Sequence, residues 1–501
     1  MTPDSTRTVD VAIVGGGIAG LATAYELSRR GVSFVVLERA PRAGGVIFSE
    51  EIDGFTIDGG PDSLLIQKPE AIALCREIGL GDRLVSTKPP RIAYIQRGGR
   101  LHALPAASVL GIPTRVGPFV RTTLFSWAGK LRMGAELFVP PRLDDADESI
   151  GAFMTRRFGR EATTYLAEPL LAGIHAGDVD RLSIRALFPR LADAERTHGS
   201  LLRAFRIRNP IRNRIRNRIR NPIRNPIHNP IRNPIRNPQP AIRNGEGAFK
   251  SLPGGLSDMV QALVEALGSD NVRRSTGVDA ITGRGPFVVR TSTGEAIEAN
   301  AVVLATPAFA TSALVRDRDE ELARLAGEIP YASAATVAMA FERRHVRHLL
   351  TGSGFVVPRA EHTGILAASW LSSKWPNRAP QDRVLLRTFI GGARDPQALE
   401  RSDAELVQTS IAALRPLLGI EGEPLFTRIY RWERGNAQHE VGHLERMAAI
   451  ERALARHPGL FVTGSGFRGV GIPDCVADGR KTGEAAAAWL HDGLKSEVTK
   501  I

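Results

Sequence analysis

The chain has 501 residues, 43% of them hydrophobic, with a formal net charge of +13 and a pI near 10.3. That apolar share supplies a packed core and excludes global disorder, and the length fits about three domains or one composite fold. Eleven arginines, and no Lys, Asp or Glu, fall within residues 206–243, so the other 463 residues carry only +2 and do not present a nucleic-acid-binding body.

Cys75 and Cys475 are the only cysteines, too few for a disulfide framework or a four-cysteine zinc site. A reducing cytoplasm is expected. The apolar run at residues 11–14 is too short for a signal peptide, and no stretch of about 18 apolar residues predicts a transmembrane helix.

Residues 9–14 read as a short buried strand. Gly15-Gly16-Gly17-Ile18-Ala19-Gly20 follows and satisfies G-x-G-x-x-G. A helix then runs to Arg30, Gly31 ends it, and residues 32–37 form a second strand closed by Glu38. Each part has a physical task. Gly15 permits the tight turn, Gly17 lets backbone N–H groups approach a pyrophosphate, and Gly20 lets helix and strand pack closely. Glu38 can accept from a ribose 2′-OH, which disfavours NADP. Arg42-Ala43-Gly44-Gly45 and Phe55-Thr56-Ile57-Asp58-Gly59-Gly60-Pro61 supply further glycine turns, which suit a long, extended cofactor.

Residues 86–105 predict a hairpin around Gly98-Gly99, and 108–200 are helix-rich. Phe119, Val120, Leu124, Phe125, Trp127, Leu131, Leu137 and Phe138 mark one apolar face, interrupted by Arg121, Lys130 and Arg132. It reads either as a core-facing helix or as a membrane-surface or substrate-entry helix. Residues 208–239 are eight units of the Arg-Asn-Pro-Ile type. Their prolines block a helix, so extended, largely disordered chain is expected. No aromatic lies between Phe205 and Phe249 to stack on bases, which argues against nucleic acid as a partner.

Globular pattern resumes at Phe249, with a helix to Leu267, strands at 272–274, 287–291 and 296–299, and a buried strand over 301–304. Strands are also expected at 334–341, 364–370 and 383–389. Near the C-terminus, a strand at 460–464 leads into Ser465-Gly466-Phe467-Arg468-Gly469-Val470-Gly471-Ile472 and a helix. Such a loop is another place for backbone donors to meet an anionic or flavin group. His439-Glu440-Val441-Gly442-His443 matches H-E-x-x-H, but Gly442 is a poor helix-interior residue and no spaced third ligand accompanies it, so no metal site is assigned.

Taken together, these residues resemble the oxygen-dependent protoporphyrinogen oxidase family of the FAD-containing amine-oxidase superfamily. The supports are residues 15–20, Gly44-Gly45 followed by Val46 rather than Arg, Asp58-Gly59-Gly60-Pro61, and Glu168-Pro169-Leu170-Leu171-Ala172-Gly173. Leu252-Pro253-Gly254-Gly255-Leu256, Gln438 to His443 and Gly469 to Cys475 add to them. His175 stands where the family usually has an aromatic residue, and the Arg-rich repeat is an interruption.

The resemblance implies an α/β fold: a Rossmann-type FAD-binding domain assembled from discontinuous segments, a mixed α+β substrate domain and a helical membrane-facing domain. Residues 1–85, 248–306 and 436–492 would form the first, 86–105 and 307–435 the second, and 106–205 the third, with 206–247 a disordered insertion. It implies six-electron oxidation of protoporphyrinogen IX to protoporphyrin IX, with O2 reduced to H2O2. Coproporphyrinogen III oxidation is the alternative, and an amine oxidase or carotenoid desaturase a more distant one. Non-covalent FAD would contact Gly15, Gly16, Gly17, Ile18, Ala19, Gly20, Glu38, Arg39, Gly44, Gly45, Val46, Gly60, Pro61, Asp62, Ser63, Val272, Gly464, Ser465, Val470, Gly471 and Ile472. Arg91 would anchor a substrate propionate, Ala172 and Gly173 would approach the ring, and Phe389 and Trp375 are apolar walls or core residues. No general base is assigned, since the flavin accepts the hydride. A membrane surface, a ferrochelatase and a second copy of the chain are the implied partners, with the enzyme peripheral on the inner face of the cell membrane.

Overall fold

The computed structural model describes residues 7–105, 108–109, 112–113, 116–142, 144–207 and 247–498. The repeat units at 208–239 lie outside the described residues. The first strand, Arg7–Val14, buries Val11, Ala12 and Ile13 completely, as suits a strand covered on both faces. It pairs in parallel with Phe34–Leu37 on one side and Ala296–Leu304 on the other. Val272–Arg273 extends the sheet beyond Phe34–Leu37, and Leu460–Val462 pairs in parallel with Ala296–Leu304. The start, middle and end of the chain therefore share one sheet. The two strands expected at 296–299 and 301–304 are a single strand, because Asn300 stays extended with its side chain outward.

Helix Ile18–Arg29 covers this sheet, and the final helix, Ile472–Val498, packs across it. The approach is backbone to backbone. A Cβ on Gly479 would lie 2.3 Å from the Ala19 carbonyl oxygen, and the Thr23 hydroxyl donates to the Gly479 carbonyl at 2.9 Å.

A second sheet runs Phe426–Ala437, Tyr331–Glu342, Arg383–Gly391, Ala367–Trp370, Gly354–Val356, Ala93–Arg97, Arg100–Ala103. The early hairpin thus joins strands made far later in the chain. Trp370, Phe341, Leu386 and Leu414 form its core beneath helix Asp403–Leu418.

Short helices between residues 116 and 207 pack around Phe153, Phe158, Leu166 and Leu201. A fully buried Arg157–Glu136 ion pair pins them, and Glu136 also accepts from the Leu201 N–H at 2.9 Å. The one apolar helix face expected over 119–138 is instead split among helices Val116–Arg121 and Trp127–Gly134 and the 3-10 turn Ala135–Phe138. Ser126 restarts the helix by accepting from the Gly129 N–H at 3.0 Å. The apolar residues divide accordingly. Leu124 and Phe125 are buried, whereas Trp127, Leu131 and Phe138 are 66%, 74% and 84% exposed. Among the described residues no helix is long and apolar enough to cross a membrane.

Candidate active site

The glycines after the first strand leave a shaped space at the C-terminal edge of the sheet. Gly15 has φ +110°, and a Cβ there would lie 2.8 Å from the Ala305 carbonyl oxygen. A Cβ on Gly20 would fall 2.0 Å from the Gly15 carbonyl oxygen, so helix and strand touch through backbone. At Gly17, by contrast, nothing lies within 4 Å of the missing Cβ. No side chain caps the helix that begins at Ile18, so its first-turn N–H groups stand beside open space. This is the donor set that a pyrophosphate needs.

Two loops close on that space. The Gly44 N–H donates to the Gly16 carbonyl at 2.8 Å, and Gly45 lies against Gly17. Arg42 locks the loop by donating to the Ile47 and Gly45 carbonyls at 3.0 and 2.7 Å, with its guanidinium 4.8 Å from the Phe48 ring centroid. Val46 is exposed at its tip. The Glu38 carboxylate accepts from the Gly16 and Ala40 N–H groups at 2.7 and 2.8 Å, which leaves each oxygen a lone pair for a ribose hydroxyl. Arg39 is exposed at the outer edge. The Val272 side chain is core, so only its backbone, paired with Val36, borders the cradle.

The second glycine turn lies on the first loop: a Cβ on Gly60 would sit 1.9 Å from the Val46 carbonyl oxygen. Its carbonyls are held from the second sheet. Gly59 accepts from the Thr336 hydroxyl at 2.7 Å and the Trp432 indole N–H at 2.9 Å, and Gly60 accepts from Arg387 at 2.8 Å. The Asp62 carboxylate is not free for a ligand. Lys374 donates to it at 2.8 and 3.0 Å, Arg387 faces it at 3.3 Å, and the Ser63 hydroxyl donates to it at 2.9 Å. Asp62 and Ser63 therefore bring backbone N–H groups to the site, not the Asp62 carboxylate. Nothing near residues 58–63 in sequence announces Thr336, Lys374, Arg387 or Trp432. One signal was present: an arginine within the apolar strand sequence Val384-Leu385-Leu386-Arg387.

The third wall is the C-terminal loop. Asp478 accepts from the Gly464 N–H at 3.1 Å and the Thr463 hydroxyl at 2.7 Å. Val470, Gly471 and Ile472 lead into the final helix. The H-E-x-x-H histidines brace this loop. His439 Nε2 meets the Ser465 carbonyl at 2.9 Å and His443 Nε2 the Phe467 carbonyl at 2.8 Å, with the rings stacked 3.8 Å apart. Burial and the neighbouring His443 push His439 down to about 3, so it is neutral and its Nε2–H donates. Gly442, at φ +90°, starts the helix at His443, so the two histidines do not share one helix. The buried Cys475 thiol donates to the Gly469 carbonyl at 3.0 Å, and burial pushes it up to about 12, which suits packing rather than covalent attachment.

On the substrate side, Arg91 is exposed and its Nε donates to the Thr87 carbonyl at 3.0 Å, with no carboxylate paired to it among the described residues. Phe389 is half-buried beside Ala176 and Leu366. Trp375 is no wall: it is fully buried among Phe55, Ile57 and Leu385. Residues Thr163–Ala172 form a π-helix containing Pro169, and Gly173 continues it into a 3-10 turn. The following segment is pinned to the sheet, with the Gln438 amide donating to the His175 carbonyl at 2.9 Å and the Ala393 N–H to the Ala176 carbonyl at 2.7 Å. Burial and the nearby Lys68 cation push the His175 imidazole down to about 4.

The residues present fit an extended flavin dinucleotide: open space at Gly17, uncapped N–H groups, an acid at the ribose position and two further backbone turns. Comparison with known proteins agrees. The family model for flavin containing amine oxidoreductases matches residues 18–487. The chain is 39% identical to the coproporphyrinogen III oxidase of Propionibacterium freudenreichii subsp. freudenreichii, over 96% of this chain and 91% of the relative. It is 32% identical to the coproporphyrinogen III oxidase of Bacillus subtilis (strain 168), over 96% and 98%. A solved structure from Exiguobacterium sp. 255-15, described provisionally as a protoporphyrinogen oxidase, superposes with a TM-score of 0.80 at 31% identity, covering 97% of this chain and 99% of that one. The chain belongs to the flavin containing amine oxidoreductase family and is an FAD-dependent oxidoreductase.

Proposed function

We propose that this chain oxidises a porphyrinogen to the porphyrin in heme biosynthesis, with O2 as acceptor and H2O2 released. The observation that carries the reading is the contact between cofactor turn and substrate sheet: residues 59–63 rest directly on the strand that carries Phe389. FAD, held by these residues, would supply the redox chemistry as the acceptor of a hydride from a methylene bridge of the substrate. The chain's own residues position the two reactants. Backbone N–H groups hold the dinucleotide, Phe389 offers an apolar wall, and the Arg91 fork suits a propionate. Ala172 and Gly173 bring the pinned segment to the opposite face of the ring.

Protoporphyrinogen IX and coproporphyrinogen III are the two substrates in question. The names of the two relatives at 39% and 32% identity favour coproporphyrinogen III. Porphyrin fluorescence, followed in air with each porphyrinogen in turn, tests the reading and ranks the two. A rise with at least one is expected, and no rise with either overturns the reading.

We also propose a peripheral seat on the inner face of the cell membrane. Its support is the exposed set Val116, Val120, Trp127, Leu131 and Phe138, with the Lys130 ammonium 4.4 Å from the Trp127 ring centroid. A Trp127→Ser/Leu131→Ser variant should sediment less with anionic vesicles than the parent. Equal sedimentation overturns that seat.

A further inference from the structure

Arg387 is 1% exposed in the strand Arg383–Gly391. A buried guanidinium is costly unless its donors are spent. Nη1 donates to the carbonyl oxygens of both Asp58 and Gly60 and Nη2 faces the Asp62 carboxylate, while the buried Nε meets no acceptor among the described residues. Lys374 donates to both oxygens of the same carboxylate, and the two cations hold its pKa well below the usual range despite its burial. The remaining carbonyl of the turn, at Gly59, is taken by Thr336 and Trp432. All three carbonyls of Asp58-Gly59-Gly60 therefore turn toward the second sheet.

A carbonyl and the N–H of the same planar peptide point in opposite directions. Holding the Gly59 carbonyl on the sheet thus turns the Gly60 N–H away from it. The Gly59 N–H donates to the Phe48 carbonyl at 2.9 Å, but the N–H groups of Gly60, Asp62 and Ser63 meet no acceptor among the described residues. Unspent backbone donors on a buried turn call for a ligand or water. The same guanidinium lies 4.7 Å from the Phe389 ring centroid, two residues along the same strand face.

We propose that Arg387 is a positioning residue that clamps the Asp58–Asp62 turn through two carbonyls and a carboxylate, so that the Gly60 N–H, turned outward by the Thr336 and Trp432 bonds to the Gly59 carbonyl, stays aimed at the flavin, and that it ties the turn to the substrate wall at Phe389. The proposal rests on the flavin reading and adds to it a residue from the other sheet. Lysine cannot replace this fork, because one ammonium does not reproduce a planar donor set that spans two carbonyls and a carboxylate.

The test strips FAD from the purified chain and titrates it back into the parent, Arg387→Lys, Arg387→Met and Thr336→Val. It reads the FAD dissociation constant and the flavin midpoint potential, with the circular dichroism melt of each apoprotein beside them. Arg387→Met should weaken FAD about tenfold or more, the span of a charged hydrogen bond. Arg387→Lys and Thr336→Val should weaken it less and shift the potential, with apoprotein melts close to the parent. If Arg387→Met does not fold, those two milder variants decide. Parental affinity and potential in both of them overturn the proposal alone. A parent chain that takes up no FAD overturns the flavin reading and the proposal together.

Discussion

The Gly15–Gly20 turn and the Gly59–Ser63 turn border one site and are held in different ways. The first works by what it lacks. Its glycines let backbone touch backbone at Gly20 and leave open space at Gly17. The second also needs bare glycines at 59 and 60, but it is held besides by what it is given: Thr336, Arg387 and Trp432 reach in from another sheet, and Lys374 from the helix beside it. A turn of the first kind is specified locally. A turn of the second kind exists only once the whole chain has folded around it.

Substitutions at the glycines break this contrast most sharply. Gly60→Ala places a methyl 1.9 Å from the Val46 carbonyl oxygen, where only backbone can yield. It should cost about 3 kcal/mol in a denaturant titration and abolish FAD uptake. Gly17→Ala, with nothing within 4 Å, should leave apoprotein stability within about 1 kcal/mol of the parent yet weaken FAD about tenfold, as seen by flavin fluorescence. A Gly17→Ala chain with parental FAD affinity would show that the open space is not the pyrophosphate site.

On the substrate side, Arg91→Ala should raise KM about tenfold in steady-state porphyrin formation while kcat changes less, because an anchor acts mainly through binding. A fall confined to kcat would place Arg91 in the chemistry instead. The smallest effect concerns the third wall. His439 is held neutral down to about 3, whereas the unfolded chain takes up that proton near 6.5. The unfolded state therefore binds more protons between those values, and stability falls as pH drops through that window. The loss should be about 1 kcal/mol near pH 5.5 in urea titrations. His439→Gln, which keeps a donor for the Ser465 carbonyl, should flatten that slope.

Much of the first turn was legible in the sequence because strand, glycines, helix and acid lie within thirty-odd residues, each with a local task. The return of the chain to the same sheet was also legible, from the apolar runs at 301–304 and 460–462. Trp375 shows where such reading stops. An aromatic residue suits a wall or a core equally well, and only packing against Phe55 and Leu385 assigns it to the core. Residues 119–138 show a second limit. Their apolar count suggested one face, but the Ser126 cap restarts the helix and sends Leu124 inward and Trp127 outward. The arginine in the apolar run Val384-Leu385-Leu386-Arg387 marked a buried cation, but its partners Asp58, Gly60 and Asp62 lie more than 300 residues away in the chain, so its task was not legible locally.

Mixing the FAD-loaded chain with coproporphyrinogen III or protoporphyrinogen IX in the absence of air tests the porphyrinogen oxidase assignment most directly. The oxidised flavin band should bleach at once, and admitting air should restore it with H2O2 and full porphyrin fluorescence. A flavin band that stays oxidised beside both porphyrinogens would contradict the assignment.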